Sequence, residues 1–503
     1  MPHTRIAIVG AGFAGLGAAI RLRQEGIDDF VVFEKNGDVG GTWWDNSYPG
    51  CQCDVPSHLY SFSFALNPEW SNTYSPQPEI WAYLRRTAER FGVLPHIRLN
   101  TAVVDASWDD AAKVWRLQTS DGEHTADVLV GGNGALSEPS TPDIPGLDRF
   151  EGKAFHSARW DDTTQLDGKR VAVIGTGASA IQIVPSIQPD VAQLHVFQRT
   201  PPWVLPHSGR PVTDAERTLY RRVPAAQRLV RALVYWTREL VAYGMTRNPR
   251  MLKPVRRLAT RHLYEQVKDP ALRKMLKPTY TPGCKRLLPS NDYYPALTKE
   301  NVEVVTDGIT EIREHSIVTA DGREREVDVI VLATGFHVTD NPMMERIHGR
   351  DGRSLLEQWQ ADGAQAYLGT TVPGYPNFFL LAGPNTGIGH TSLVFMIECQ
   401  IAYLMDALRT MTERKAGTVE VRADRFEAYN HEVQAKMRRT VWNTGGCASW
   451  YLDAEGRNTT LWPDFTWKFR QRTRRFDAEH YEFGAPDKPA AVPNQRVAEG
   501  ALQ

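Results

Sequence analysis

Short, nearly continuous apolar runs punctuate the chain at residues 5–9, 30–34, 128–134, 170–174, 194–198 and 328–336. Each is rich in Val, Ile, Leu or Phe and ends at a glycine or a polar turn, the pattern of strands buried on both faces of a parallel sheet. Residues 16–25 follow the first run with helical periodicity. Between 212 and 282 the strand-like runs stop and the chain becomes Arg-rich with a helical period. Its most apolar stretch, 228–245, is interrupted by Arg231, Arg238 and Glu239. That predicts an amphipathic helix, its cations on a solvated face. From 485 onward the chain is rich in Pro and Ala and reads as a disordered tail.

Two of the strand-like runs lead directly into glycine turns. Residues 5–9 open onto Gly10, Gly12 and Gly15, and residues 170–174 onto Gly175, Gly177 and Ala180. The first two glycines of each permit a tight turn and close approach of a pyrophosphate to the backbone, and the third small residue lets helix and strand pack. Each copy lies between a strand and a helix, the context this fingerprint requires. The next strand end selects the ribose. Glu34 closes residues 30–34 and can accept from both ribose hydroxyls, which suits FAD and repels a 2′-phosphate. In the second copy Gln198 replaces the acid, and Arg199 and Thr200 follow, an arrangement that accommodates the 2′-phosphate of NADPH.

The expected fold is α/β, with two Rossmann-like dinucleotide-binding domains, for FAD and NADP, and a helical insertion in the NADP domain. The first part of the FAD domain spans 1–145, ending at a Pro-rich linker, and the first NADP part 146–211. The insertion takes 212–281, the second NADP part 282–330, and the second FAD part with a substrate loop 331–484, ahead of the tail 485–503. The 503 residues carry a formal charge of −1, which gives no global electrostatic case for nucleic acid or an anionic membrane. The start of the chain has no signal-peptide pattern and no stretch is long enough to span a bilayer, so a cytoplasmic location is expected. Five cysteines without paired zinc spacing read as reduced thiols, with no metal site.

Between the fingerprints, the stretch FEGKAFHSARWD places Phe150, Gly152, His156, Trp160 and Asp161 at intervals that resemble the signature of the type I Baeyer–Villiger monooxygenases. The resemblance extends over nearly the whole chain. It implies that Gly41, Thr42 and Trp43, with Tyr48, Pro49, Gly50 and Asp54, lie beside the flavin ring and that Tyr60 is near it. Ser47 stands where the family usually has a basic residue. Lys285 resembles the lysine that helps hold the 2′-phosphate, and Arg286 the arginine that reaches the reaction centre, with Asp54 as its partner. The stretch around Asn385 (383–392) reads as a turn followed by a helix start that directs backbone N–H groups at the flavin pyrimidine. Trp450 falls in a segment resembling the mobile substrate loop, although residues 454–458 depart from the common pattern. The signature's place at the linker assigns His156 a domain-linking hydrogen bond rather than chemistry.

The resemblance implies an FAD enzyme that uses NADPH and O2 to convert a ketone to an ester or lactone through a flavin C4a-peroxide, with sulfide oxidation as a further capacity. Arg286 would stabilise the developing negative charge, because a guanidinium stays cationic at any physiological pH. Two other classes share the fingerprints. A heteroatom-oxygenating or N-hydroxylating flavin monooxygenase also has a related Phe-x-Gly-x-x-x-His segment and is the alternative reading, with Trp160, Asp161, Asp54 and Arg286 together favouring the ketone chemistry; a disulfide-directed flavin reductase would need a redox pair, for which Cys51 and Cys53 are the nearby candidates.

Overall fold

The computed structural model describes residues 1–485, so the expected tail lies outside the described residues from 486 onward. The apolar runs form two separate sheets. In the first, the strands Ile97–Arg98, Phe30–Phe33, His3–Val9 and Gly122–Gly131 lie side by side in parallel. The inner half of Gly122–Gly131 also pairs with Phe378–Leu380, while its outer half turns into an antiparallel extension through Val114–Thr119 and Val103–Asp109. The second sheet is wholly parallel, in the order Val302–Val305, Gln193–Phe197, Arg170–Ile174, Val329–Leu332, Lys153–His156. Every residue of Phe30–Phe33 and Val329–Leu332 is buried, which explains their unbroken apolar character.

The helix Phe13–Gln24 follows the first fingerprint and packs between the first sheet and the long helix Leu393–Arg414. Burial on nearly all sides accounts for its weak amphipathicity. Residues from both ends of the chain thus build the first unit. The boundary expected at 330 cuts through Val329–Leu332, a strand held on both sides by the second sheet, so the return to the first unit comes after Leu332. The outgoing and returning segments run beside one another: Pro139 and Phe336 form an antiparallel bridge, Ser140 N–H donates to Gly335 O at 2.9 Å, and His337 N–H to Glu138 O at 2.9 Å.

Residues 212–281 hold the helices Asp214–Arg222, Pro224–Thr246, Lys253–Gln266 and Pro270–Leu276. Most cations of this region are exposed, as expected, but not every charge of the long helix is solvated. Arg231 donates to the carbonyls of His58 and Leu59 at 2.8 and 3.1 Å, and Glu239 is buried. Gln227 donates to Asn67 O at 2.6 Å. The face turned toward 57–67 meets exposed backbone carbonyls there, and polar side chains satisfy them.

Candidate active site

The first fingerprint makes a cradle of bare backbone. Gly10 has φ +93° and a Cβ there would meet Gly132 O at 2.9 Å, while one on Gly15 would meet Gly10 O at 1.8 Å. Gly12 and Gly41 approach closely enough that a Cβ on Gly41 would lie 3.0 Å from Gly12 Cα. No side chain caps the helix that starts at Phe13, so its first N–H groups are available to an anion. Glu34 is buried beside this turn, accepting from Ala11 N–H at 2.7 Å and Asn36 N–H at 2.9 Å. Burial raises its carboxyl pKa, partly offset by those two N–H groups. Thr42 begins a short helix, and Trp43 donates from Nε1 to Tyr60 Oη at 3.1 Å, with Tyr60 edge-on to Phe13. A flavin adenine dinucleotide fits these features: a cradle for its diphosphate, a carboxylate for its ribose and an aromatic wall.

In the second unit Gly175 has φ +121° and a Cβ there would strike Ala333 O at 2.3 Å. Around Gly177 the space is open, and Ala180 is fully buried at the start of the helix Ala180–Ile187. Arg199 is exposed and Thr200 half-buried at the end of the neighbouring strand, where Thr200 O accepts from Thr176 Oγ1 at 3.0 Å. Lys285 feels the charge of Arg199: burial lowers its pKa first, and the Arg199 charge lowers it further. Its Nζ lies 5.6 Å from the centroid of Tyr280, and among the described residues neither cation has a carboxylate within ion-pair distance. Two converging cations without an acidic partner suit a 2′-phosphate.

Arg286 and Asp54 form a bidentate pair between the units, with Nε and Nη2 each 2.5 Å from one carboxylate oxygen. Burial alone would raise the Asp54 carboxyl, but the guanidinium outweighs it and holds Asp54 below the usual carboxylate range. Asp54 in turn raises Arg286 further above its already high value. Both partners are therefore charged across the physiological range.

Contacts invisible in the linear sequence complete the site. Tyr451 is buried near the pair, its hydroxyl pushed up to about 12 by burial while Arg286 lowers it. Arg238 adds a second positive charge near Asp54 and donates to Tyr74 Oη at 2.8 Å. Gln182 joins the two units: it accepts from Tyr48 Oη at 3.0 Å and donates to Gln52 O at 3.0 Å. Gly50 allows this docking, because a Cβ there would meet Ser186 Oγ at 2.2 Å. The one local sign of Gln182 was a polar residue in the first turn after the second fingerprint.

The signature segment occupies the junction between the outgoing and returning segments. His156 accepts from Ala158 N–H at 3.1 Å within its own turn and sets its ring edge-on to Phe336 of the returning segment, with burial lowering its pKa. Arg159 adds a polar link to the first unit, its Nη1 3.6 Å from Asp45. Trp160 packs edge-on to Phe155 and lines a cleft with Lys35, Asn36, Trp44 and Asp45. Gly152 admits Phe150 and Asp328 O, the latter 2.4 Å from where a Cβ would be. Asp161 is half-buried and caps its own turn, accepting from Thr163 Oγ1 at 2.5 Å, Thr164 Oγ1 at 2.7 Å and Thr163 N–H at 3.0 Å, which hold its pKa down to about 2.

Asn385 lies in a turn at φ +55°, and the helix that follows begins at Leu393 with Ser392, the last residue of the expected turn-then-helix stretch, as its cap. The Asn385 amide donates to the carbonyls of Asn458 and Leu461, both at 2.9 Å, tying this turn to the segment after Trp450. Trp450 is 49% exposed and packs against Tyr451 with ring centroids 4.4 Å apart. The expectation of five reduced thiols is also corrected. Cys284 and Cys447 form a disulfide across 163 residues, joining the loop of Lys285 and Arg286 to the approach of Trp450. Cys51, Cys53 and Cys399 are buried free thiols. Burial pushes Cys51 up to about 12 and Cys53 well above its ordinary value, the reverse of what a redox pair needs.

Known proteins match this arrangement over nearly the whole chain. Residues 3–241 match the family described as flavin-binding monooxygenase-like. A Baeyer–Villiger monooxygenase of Streptomyces coelicolor is 54% identical over 97% of this chain and 94% of its own. One from Pseudomonas aeruginosa is 52% identical over 95% and 91%. Among solved structures, cyclohexanone monooxygenase from Rhodococcus sp. Phi1 bound to NADP+ superimposes with TM-score 0.85 at 28% identity, covering 96% of this chain and 99% of that one. Oxidized steroid monooxygenase bound to NADP gives TM-score 0.85 at 33% identity, covering 96% and 100%. With two dinucleotide cradles, a guanidinium–carboxylate pair between them and relatives of this closeness, the chain belongs to the Baeyer–Villiger monooxygenases.

Proposed function

We propose that the protein is an FAD- and NADPH-dependent monooxygenase that inserts one atom of O2 beside a ketone carbonyl to give an ester or lactone, with sulfides as secondary substrates. The Arg286–Asp54 pair carries this reading, since it sets a permanently charged donor between the two nucleotide cradles. FAD held in the first cradle would supply the chemistry of hydride acceptance and oxygen activation. The residues of the chain do the rest. The cradle at Gly10, Gly12 and Gly15 and the Glu34 carboxylate bind the flavin nucleotide, and Arg199, Thr200 and Lys285 hold the 2′-phosphate of NADPH. Arg286, oriented by Asp54, offers a cation to the oxyanion that forms when the carbonyl is attacked, and no proton need move to create it. Buried Tyr451 walls that region, with Trp450 packed on it from the solvent side, and keeps water from a reaction that water would divert.

Supplying the FAD-loaded protein with NADPH, air and a panel of cyclic, linear and aryl ketones, with products identified by mass, tests the proposal. Product 16 Da heavier than a ketone, with the fragmentation of an ester, is expected (about one oxygen atom per turnover). NADPH oxidation that yields only hydrogen peroxide for every ketone and sulfide would overturn it.

A further inference from the structure

The long helix Pro224–Thr246 packs Val230, Val234 and Tyr235 against the core yet carries a second apolar face outward. Its inward face carries Gln227, Arg231 and Glu239, the last 2% exposed and bonded to Thr466 Oγ1 at 2.6 Å and to His390 Nε2 at 3.1 Å. Its outward face carries Leu229, Leu233, Trp236, Leu240 and Tyr243. Spacings of three and four residues put these five side chains on a single stripe. Leu233 is 58%, Trp236 56% and Leu240 75% exposed, and Met251 and Leu258 extend the apolar surface from the next segments. Scattered apolar residues on a surface are ordinary, but a continuous stripe on one helix marks a contact.

The charges around the stripe identify what it contacts. Residues 221–261 contain eleven Lys and Arg and one acidic residue, the buried Glu239, in a chain whose overall charge is −1. Arg221, Arg247 and Arg261 are paired with Glu69, Asp464 and Glu265, and Arg231 and Arg238 are turned inward. Arg222, Arg228, Arg250, Lys253, Arg256 and Arg257 are exposed and, among the described residues, have no ion-pair partner. Among the described residues no helix is long and apolar enough to cross a membrane. We infer that this face lies on an anionic lipid surface, the Leu, Trp and Tyr stripe entering the headgroup boundary and the six cations meeting lipid phosphates. An apolar stripe containing Trp with a cationic surround is the composition of an interfacial helix. A second copy of the chain fits less well, since symmetric pairing would bring two sets of unpaired cations together. The inference is independent of the ketone chemistry, because none of these side chains touches the Arg286–Asp54 pair.

Sedimentation of the FAD-loaded protein with vesicles tests it. Protein should pellet with vesicles of equal phosphatidylcholine and phosphatidylglycerol, at least about tenfold more weakly with phosphatidylcholine alone, and be released by high salt, as charge screening requires. Leu233→Glu/Leu240→Glu and Arg256→Glu/Arg257→Glu, all at exposed positions, should each weaken binding by about tenfold or more with the flavin spectrum unchanged. Failure of the wild type to pellet with either vesicle would overturn the inference, as would unchanged binding by the leucine variant. A dimer in sedimentation velocity that the leucine variant disperses, without vesicle binding by the wild type, would assign the stripe to a second copy instead.

Discussion

Replacing Arg286 with Ala removes the cation and leaves its partner in place. Asp54 is about one-fifth exposed and Arg286 one-third, so the pair lies between a surface ion pair, worth ~0–1 kcal/mol, and a fully buried one, whose breaking costs ~3–5 kcal/mol. A stability loss of about 2 kcal/mol follows, small enough for the variant to fold and retain FAD. The effect on turnover should be larger. A preorganised donor aimed at a developing oxyanion is worth ~3–4 kcal/mol, so ester formation should fall by about two to three orders of magnitude. NADPH oxidation should continue, with hydrogen peroxide replacing ester. Both partners are charged throughout the neutral range, so the ratio of wild-type to variant rates should be flat from about pH 6 to 9. The assay pairs chromatographic quantitation of ester with peroxide detection, using the flavin absorbance as the measure of bound cofactor. Asp54→Ala should lose about tenfold, the scale of removing a group that orients another. An Arg286→Ala enzyme with full FAD occupancy and near-normal ester production would refute the role given to this guanidinium.

Arg199→Ala should raise the KM for NADPH about tenfold or more while leaving that for NADH nearly unchanged, as loss of a charge-assisted bond worth ~1.5–3 kcal/mol requires; equal shifts for both cofactors would move the 2′-phosphate elsewhere. Glu34→Ala should lose FAD on gel filtration yet keep its preference for NADPH, and a changed preference would mean that the two nucleotide cradles are exchanged. Alkylation of the unfolded, unreduced protein should label Cys51, Cys53 and Cys399 but neither Cys284 nor Cys447 until reductant is added; labelling of all five without reductant would exclude the disulfide.

The strands and fingerprints were legible because both parallel sheets are buried on two faces and write themselves as unbroken apolar runs, while Gly10 and Gly175 mark turns that only glycine makes without strain. The pairing of Arg286 with Asp54 was legible only through family resemblance, since 232 residues separate them. Cys284 with Cys447, and Gln182 with Tyr48, had no local pattern to announce them. The long insertion helix misled for a related reason. Its Arg231 and Glu239 looked like solvent-facing charges, but the surfaces they face supply backbone carbonyls in one case and His390 with Thr466 in the other. Periodicity identifies the polar stripe of a helix, not the surface that stripe meets.

The central claim, that this chain transfers an atom of oxygen from O2 into a carbon–carbon bond beside a carbonyl, is tested most directly by turnover of a ketone under ¹⁸O2 in unlabelled water. The account predicts an ester or lactone carrying one ¹⁸O in the bridging position, with the original carbonyl oxygen retained. An unlabelled product, or label found only in hydrogen peroxide, would contradict it.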